Sequence, residues 1–260
     1  MLLEGKVVIV SGVGPGLGRE IAVAASRDGA SVVLGARRAA NLEAAAAEID
    51  PDGKTVAWKA TDICDEAQCQ GLVAEAVARF GRVDGLVNVA ALDTVMGGLD
   101  GDVAQWRQTL DTNVIGTLQM VRAAAPALKE AGGGSVVFIG SQTTFWPAPL
   151  VPQMIYGASK GALASTVWFL SRELGPSRIR VNTVVPTWMW GPPVEMFVDF
   201  MVQSEGITSE EAIARITGPM PLGEIPSDGD VANAVTFFLS DRARTVSGQT
   251  LFVNSGEFPH

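Results

Sequence analysis

The residues best placed to do chemistry are the chain's single tyrosine, Tyr156, and Lys160, four positions later. Four residues apart on a helix, their Cβ atoms lie about 5–6 Å apart on one face. A free phenol titrates near about 10, so useful proton exchange near neutrality needs about 4 kcal/mol of phenolate stabilisation. One ammonium at about 6 Å supplies roughly 2.8 kcal/mol at an effective dielectric of about 20. The pair therefore predicts a catalytic phenol only if a second positive charge binds nearby. Alone, the pair is weak evidence, and a half-buried tyrosine beside a solvated lysine is then the favoured interpretation.

The elements that must position this pair are short apolar runs alternating with helical patterns. The runs are rich in aliphatic and β-branched residues, which is typical of strands buried on both faces. They cover residues 7–10, 31–34, 55–58, 85–87, 135–139, 179–185 and 249–253, and the helical patterns cover 18–28, 42–49, 66–80, 103–131, 156–174 and 230–239. The alternation predicts an α/β fold: a single Rossmann-like, doubly wound domain over residues 1–260, with a seven-stranded parallel sheet and helices on both faces.

Residues 187–228 interrupt this alternation with a proline-containing segment that has two short helical patterns, at 194–203 and 209–216, and no strand pattern. An insertion of this length in a compact domain is usually functional. Ligands of open α/β sheets bind at the carboxyl ends of the strands. We therefore expect the insertion to be a substrate lid over that edge.

Composition excludes several classes of protein. With 47% apolar and 18% charged residues the chain can bury a large core, and a net charge of −9 argues against a nucleic-acid partner. It has no apolar run long enough to span a membrane and no secretory signal pattern at its start. Two cysteines, Cys64 and Cys69, and one histidine, His260, argue against a metal site. We expect a cytoplasmic protein without a metal.

A glycine-rich segment follows the first predicted strand and opens the first predicted helix. Such glycines permit a tight turn and a close backbone approach to a pyrophosphate at the helix N-terminus. The spacing departs from the common G-x-G-x-x-G pattern, and no P-loop Gly-Lys follows. A nucleotide-binding loop is favoured over a glycine-rich hairpin because a strand precedes it and a helix follows. Its residues are Ser11, Gly12, Val13, Gly14, Pro15, Gly16, Leu17 and Gly18.

Together, the glycine loop and the Tyr156/Lys160 pair resemble the short-chain dehydrogenase/reductase family, over essentially the whole chain. Further matching positions are Asp62, Asn88, Asn113, Ser141, Arg180, Val181, Asn182, Pro186, Pro221, Leu222, Gly223, Asp230, Val231, Ala232, Ser247, Gly248 and Gln249. The resemblance implies a nicotinamide cofactor along the strand ends. Its oxidised ring would be the second positive charge that the phenol requires.

The resemblance also implies a catalytic set. Tyr156 would be the general acid or base, and Lys160 would lower its pKa and bind the nicotinamide ribose. Ser141 would bind the substrate oxygen, and Asn113 would hold a water that relays protons from Lys160. Taken singly, Ser141 could instead cap a strand end, and Asn113 could bond backbone within its helix.

The cofactor would contact the glycine loop, the catalytic pair and several residues that follow strands. Asp62 would contact the adenine, or alternatively cap the helix near Asp65. A carboxylate that would bind the ribose 2′-hydroxyl is missing at Ala36, and a guanidinium suits a 2′-phosphate. NADP(H) is therefore favoured and NAD(H) stays open, since the arginines could simply be solvated. The remaining expected contacts are Arg37, Arg38, Ile63, Asn88, Ala90, Pro186, Thr187 and Met189.

Some positions depart from the family pattern: Val89 and Ala91 in the turn after Asn88, Thr187 after Pro186, and a fifteen-residue interval between Ser141 and Tyr156. The apolar loop 145–152 and the segment 188–200 should line the substrate pocket, unless they pack lid to body or subunit to subunit. They favour a hydrophobic substrate such as a steroid, terpenoid or aromatic compound. The expected pocket residues are Gln142, Trp146, Trp188, Trp190, Met196, Phe197 and Phe200.

The expected function is NAD(P)(H)-dependent interconversion of a carbonyl and a secondary alcohol. A 3-oxoacyl-thioester reductase is the alternative within enzymes, and a catalytically silent nucleotide-binding scaffold is the alternative outside them. The family implies a homotetramer, or a homodimer, and apolar Val167, Trp168 and Leu170 on one helix are compatible with it.

Overall fold

The computed structural model describes residues 1–147 and 152–258. Seven strands form one parallel sheet in the order β3-β2-β1-β4-β5-β6-β7. The strands are β1 Val7–Ser11, β2 Ser31–Ala36, β3 Val56–Ala60, β4 Gly85–Asn88, β5 Gly134–Ile139, β6 Ile179–Pro186 and β7 Thr250–Val253. The helices are α1 Leu17–Arg27, α2 Ala39–Ile49, α3 Glu66–Phe80, α4 Val103–Leu110, α5 Thr117–Glu130, α6 Met154–Leu174, α7 Pro192–Glu205, α8 Ser209–Thr217 and α9 Asp228–Leu239. The predicted doubly wound α/β fold is confirmed.

The inner strands of the sheet are buried on both faces, which explains their nearly unbroken apolar runs, whereas the edge strands β3 and β7 are partly exposed. Alternate residues of β1 separate into two hydrophobic clusters: Val8 and Val10 face α1 and α9, whereas Val7 and Ile9 face α3 and α5. Strand order reverses between β1 and β4. The strand ends at this switch point form the crevice in which ligands of such sheets bind.

The predicted single helix over 103–131 is interrupted. A π-helical segment, Asp111–Gly116, joins α4 to α5 without a break in direction. The wider turn is a local departure from the i→i+4 pattern and often occurs at functional sites. No feature of the apolar periodicity marks it, so the sequence could not predict it.

Residues 187–228 contain α7 and α8, within one or two residues of the predicted helical patterns. The two helices build a small core of their own from Val194, Val198, Met201, Ala212 and Ile216. This separate core explains how the insertion holds a shape apart from the sheet. Its role as a lid stays a prediction.

Two sequence predictions fall partly outside the described residues. The residues of these predictions outside the described part are Ala148, Pro149, Leu150 and Val151 of the apolar loop, and His260, which was considered as a metal ligand. None of the helices in the described parts of the chain is both long and apolar enough to cross a membrane.

Candidate active site

A cleft of about 840 Å³ opens at the carboxyl ends of β1, β2 and β4 and reaches Tyr156 and Lys160. It brings together most of the residues predicted to bind a cofactor. Those lining it are Ser11, Gly12, Gly14, Pro15, Leu17, Arg37, Arg38, Asp62, Ile63, Ala90, Tyr156, Lys160 and Met189. The glycine loop and the tyrosine–lysine pair, 138 residues apart in sequence (Gly18 to Tyr156), therefore share one cavity.

The glycine loop is built for close backbone approach. Gly12 has φ +107°, and a Cβ there would lie 2.2 Å from the backbone nitrogen of Ala90. A Cβ on Gly18 would lie 2.2 Å from the carbonyl oxygen of Gly12, so Gly18 supports the loop from below rather than lining the cleft. Gly16 is the N-cap of α1 and has no side chain with which to cap it. The free amides at this helix start suit a pyrophosphate, and the residues present thus fit a dinucleotide.

In the part of the chain that the structure describes, the buried side chain of Asn88, like the uncapped start of α1, lacks a hydrogen-bond partner that a ligand could supply. It ends β4 in register with Ser11, it is 5% exposed, and among the described residues nothing pairs with its buried Nδ2. A buried donor without a partner is costly, and a cofactor oxygen would satisfy it. Pro186 is buried at the end of β6, and the amide of Thr187 donates to the Val253 carbonyl at 3.3 Å. Asn88, Pro186 and Thr187 lie at the strand ends but do not line the cleft.

The surroundings of Asp62 bear on its two interpretations, which are an adenine contact and a helix cap. Asp65, not Asp62, caps α3, and its carboxylate accepts the amides of Ala67 and Gln68 at 2.9 and 3.1 Å. Asp62 faces the cleft and accepts the amide of Cys64 at 3.0 Å. Asp62 is thus not needed as a helix cap and stays the predicted adenine contact.

Two arginines stand where β2 ends. Arg37 and Arg38 are exposed and line the cleft beside Ala36. Arg38 is the N-cap residue of α2 and makes no side-chain capping bond. A guanidinium at this position can therefore reach a phosphate without first breaking a cap.

Tyr156 and Lys160 lie near the start of α6, one helical turn apart. The Lys160 Nζ lies 5.5 Å from the centroid of the Tyr156 ring and donates to the Ile139 carbonyl at 2.8 Å. Lys160 is 3% exposed, and Tyr156 is half-buried. The carbonyl at the end of β5 thus fixes the ammonium beneath the phenol.

The electrostatics of this pair differ from the sequence-based expectation. Burial, followed by the Asp93 carboxylate, raises the pKa of Tyr156 above its usual value, while a hydrogen bond with Ser141 acts in the opposite direction. Burial lowers the pKa of Lys160 to about 8, against the opposing effect of Asp93. The expectation that Lys160 lowers the phenol's pKa omitted desolvation, which disfavours both charged forms. At pH 7 Lys160 is still mostly protonated. Because burial also disfavours the phenolate of Tyr156, a further positive charge is needed all the more to stabilise that phenolate.

Ser141 follows Gly140, the first residue after β5. It stands at the start of a short 3₁₀ turn that contains Thr143. Its Oγ accepts the Thr143 hydroxyl at 2.9 Å and the Thr143 amide at 3.3 Å. Ser141 therefore caps this turn, whereas its alternative interpretation had placed a cap at the strand end. Both bonds use acceptor positions, so Ser141 can donate its hydroxyl hydrogen, either to Tyr156, as its effect on the phenol's pKa indicates, or to a substrate oxygen. Thr143 orients this donor, and the sequence analysis missed it.

Asn113 lies in the π-helical segment and is fully buried. Its Oδ1 accepts the Leu92 amide at 2.6 Å, and its Nδ2 donates to the Leu92 carbonyl at 3.0 Å and to Ser159 Oγ at 2.9 Å. The side chain thus clamps the loop after β4 to the helix that carries Tyr156. Both hydrogens of its Nδ2 are used by these bonds, and the expected water relay at Asn113 stays a prediction.

Asp93 is the charged residue of the cleft that sequence analysis did not single out. It lies in the loop held by Asn113, is exposed, and acts on the pKa of both Tyr156 and Lys160. Its proximity depends on how the loop folds back, and residues 93 and 156 are far apart in sequence. Only the departure of this loop from the family pattern hinted that it could differ.

Replacing Asp93 should shift the pH dependence of turnover. In Asp93→Asn, loss of the negative charge stabilises the phenolate, so the apparent pKa governing alcohol oxidation should fall by about half a unit. The measurement is kcat/KM against pH at low salt, with Asp100→Asn as an exposed control. Since Asp93 is exposed, high salt should shrink the difference. An unchanged or raised pKa would contradict the assignment.

A second cavity of about 380 Å³ adjoins the turn after β5. Three predicted pocket residues line it, Gln142, Trp146 and Trp188, together with Arg215, Ile216, Pro219, Glu257 and Phe258. Trp190 and Met196 line neither described cavity; Trp190 bridges by its backbone to Ser227, and Met196 is 72% exposed. Glu257 and Phe258 come from the C-terminal segment, which the sequence analysis did not connect with the pocket.

The chain was compared with known proteins. A family model described as enoyl-(acyl carrier protein) reductase matches residues 12–257. An uncharacterized oxidoreductase of Methylorubrum extorquens is 35% identical, with 98% of each chain covered. An L-rhamnose 1-dehydrogenase (NAD(P)(+)) of Azotobacter vinelandii is 34% identical, with 99% of this chain and 98% of the relative covered. A solved structure of actinorhodin polyketide ketoreductase with NADPH superposes with a TM-score of 0.89 at 27% identity, covering 98% of each chain.

Proposed function

The chain belongs to the short-chain dehydrogenase/reductase family of oxidoreductases, and from that premise we propose that it is an NADP(H)-preferring enzyme that interconverts a carbonyl and a secondary alcohol. The observation that carries the proposal is the shared cavity. The glycine loop, the buried ammonium of Lys160 and the phenol of Tyr156 all face one cleft. A proton-transfer group is therefore placed where a dinucleotide would lie.

In the proposed mechanism the protein handles the proton. A nicotinamide cofactor held by the glycine loop and Lys160 would supply the hydride, or accept it in alcohol oxidation, and its oxidised form would add positive charge to the site. Ser141 donates its hydroxyl hydrogen to the substrate oxygen, because Thr143 already occupies acceptor positions of that hydroxyl. Tyr156 gives its proton to the oxygen during reduction and takes it back during oxidation. Lys160, fixed by the Ile139 carbonyl, stabilises the phenolate.

We propose the small cavity beside Ser141 as the substrate pocket and residues 187–228 as its lid. Support comes from Trp188 and Ile216 of the insertion, which line the cavity together with Trp146 and Phe258 of the body. These apolar walls favour a substrate with a hydrophobic portion, such as an aromatic, steroid or terpenoid compound. The cavity is small, which favours the smaller members of that class.

A 3-oxoacyl-thioester reductase is the second candidate, and the description of the matching family model is the observation in its favour. Against it stands a net charge of −9, since an acidic carrier protein would meet repulsion. The exposed Trp168 and Phe169 on α6 support assembly as a homotetramer or homodimer. A cytoplasmic location stays part of the proposal.

The test of the proposal is a ligand screen followed by turnover. Binding of oxidised and reduced NAD and NADP is measured first, by fluorescence or calorimetry. A panel of ketones, secondary alcohols and a 3-oxoacyl thioester is then assayed by absorbance of the reduced nicotinamide. Turnover of ketones or alcohols supports the proposal, and turnover confined to the thioester supports the second candidate. Binding without any turnover would favour a silent nucleotide-binding scaffold.

The preference for NADP has its own prediction. In the double variant Arg37→Ser/Arg38→Ser, the ratio of NADP to NAD affinity should fall by about 10- to 100-fold, since charge-assisted bonds to a phosphate are lost. Affinity for NAD should change little. The control is Arg172→Ser, an arginine of α6 outside the cleft. If the ratio stays the same in the double variant, the two arginines do not select the cofactor.

A further inference from the structure

A hydrogen-bonded pair of side chains lies in the small cavity that we propose as the substrate pocket. Gln142 immediately follows Ser141, and its Nε2 donates to Glu257 Oε1 at 3.3 Å. The other carboxylate oxygen of Glu257 accepts the hydroxyl of Thr187, which follows Pro186 at the end of β6. The side chains of Gln142 and Glu257 both line the cavity. The pair therefore connects the catalytic serine turn with the strand end beside the cofactor cleft.

The amide of Gln142 has an unused acceptor. Gln142 is 6% exposed, and within residues 1–147 and 152–258 its buried Oε1 has no hydrogen-bond partner. The carboxylate of Glu257 can only accept, so it fixes the amide with Nε2 toward itself and Oε1 away from it. Leaving such a buried oxygen unpaired is costly, because it has lost its bond to water without gaining another. The site is therefore incomplete without a donor.

The position of Glu257 is fixed by hydrogen bonds within the C-terminal turn. Asn254, 7% exposed, receives the Gly256 amide on Oδ1 at 3.1 Å and donates its Nδ2 to the Phe258 carbonyl at 2.9 Å. The Glu257 amide donates to the Asn254 carbonyl at 2.8 Å. Phe258 packs against Trp146, with ring centroids 5.9 Å apart. This turn holds the carboxylate in the cavity next to an aromatic wall.

The unused positions of the pair are Gln142 Oε1, the remaining lone pairs of the Glu257 carboxylate and the second hydrogen of Gln142 Nε2, and of these Oε1 is the buried atom without a partner among the described residues. Arg215, the one cation among the cavity's lining residues, is paired with Glu205. A ligand group that completes the site must therefore be a donor. A hydroxyl can donate to Gln142 Oε1 and also accept the second hydrogen of Gln142 Nε2, which an ammonium cannot do, so a neutral hydroxyl fits the pair better.

We propose that Gln142 and Glu257 bind a hydroxyl group of the substrate other than the reacting one. The inference rests on the proposed function and narrows its substrate class to hydroxylated alcohols and ketones, such as vicinal diols and α-hydroxy ketones with an apolar portion. The apolar walls then bind the carbon skeleton, and the acceptor pair selects for the second hydroxyl. An analogue without that hydroxyl leaves the acceptors unpaired, which is a strong basis for discrimination.

The test compares matched alcohols, 1-phenylethane-1,2-diol with 1-phenylethanol and cyclohexane-1,2-diol with cyclohexanol, in oxidation with NADP or NAD. In the unsubstituted protein kcat/KM should favour the diol by about tenfold or more. Gln142→Met and Glu257→Gln should each reduce this ratio toward one, whereas Glu210→Gln on exposed α8 should keep it. Two independent variants guard against a folding defect in either.

Binding is measured separately by the quenching of tryptophan fluorescence, since Trp146 and Trp188 line the cavity. Tighter diol binding that both variants lose, without turnover of any compound, would support the acceptor pair and sink the proposed catalysis. Turnover of both members of each pair with a ratio near one would leave the catalysis and overturn the acceptor pair. A ratio unchanged in both variants, or an amino alcohol strongly preferred over the diol, would overturn it as well.

Discussion

Turnover should fall by at least about a thousandfold in Tyr156→Phe, while cofactor affinity stays within a few-fold of the unsubstituted protein. The substitution removes the only phenolic hydroxyl of the chain and keeps a ring of nearly the same shape. Lys160 keeps its bond to the Ile139 carbonyl, because that bond does not involve the phenol. The loss should therefore appear in kcat, with folding and nucleotide binding preserved.

The measurements are steady-state rates, cofactor titration and thermal unfolding on one preparation. Because burial and Asp93 raise the pKa of Tyr156, the protein without cofactor should show no phenolate absorbance near pH 10. Oxidised cofactor should lower that pKa, and with one tyrosine the signal has a single source. Retained activity in Tyr156→Phe, or a phenolate pKa that the oxidised cofactor does not lower, would remove Tyr156 from the mechanism.

Ser141→Ala and Thr143→Ala distinguish the donor from the residue that orients it. Ser141→Ala removes the hydrogen that is donated to the substrate oxygen, and kcat should fall by about a hundredfold or more. Thr143→Ala keeps that donor but frees it to rotate, so a smaller loss is expected, with Thr143→Ser restoring the rate. Equal losses in both alanine variants, with no rescue by serine, would mean that Thr143 acts through the stability of the turn.

Most of the fold could be predicted from the sequence, because strands buried on both faces carry nearly continuous apolar runs. Helix ends moved by up to three residues, as at α2, where Ala39 begins the helix three residues before Leu42. The π-helical segment around Asn113 could not be predicted, since it changes hydrogen bonding without changing which residues are apolar.

The site was predictable where chemistry is local in sequence. The glycine loop and the Tyr156/Lys160 pair each lie within one short segment, and the structure brings both to one cleft. Asp93 and Glu257 were missed because they lie far in sequence from the other residues of the site. Asp93 is in a loop and Glu257 in a C-terminal turn, and no local sequence pattern predicts that either segment reaches the site. The pKa of Tyr156 was misjudged for a different reason: a Coulomb estimate from spacing alone contains no desolvation.

The largest expected effect on stability and cofactor binding comes from Gly12→Ala. The new Cβ would lie 2.2 Å from the Ala90 nitrogen and 2.6 Å from its Cα, and both are backbone atoms with no rotamer to change. At φ +107° an L side chain is strained in addition. The loop must move away from β4, and we expect a loss of at least about 3 kcal/mol, or roughly 10 °C in Tm. Cofactor affinity should fall by about a hundredfold, because the displaced amides no longer face the pyrophosphate.

Gly14→Ala is the matched control for stability. It lies two residues away in the same loop, has no positive φ, and a Cβ there meets nothing within 4 Å. Its Tm should stay level or rise slightly, because alanine restricts the unfolded chain more than glycine does. Thermal unfolding of both variants, with and without cofactor, separates the two causes of loss. If Gly12→Ala melts no earlier than Gly14→Ala, the contact of Gly12 with the Ala90 backbone does not constrain the loop, and the cradle proposed for the dinucleotide is wrong.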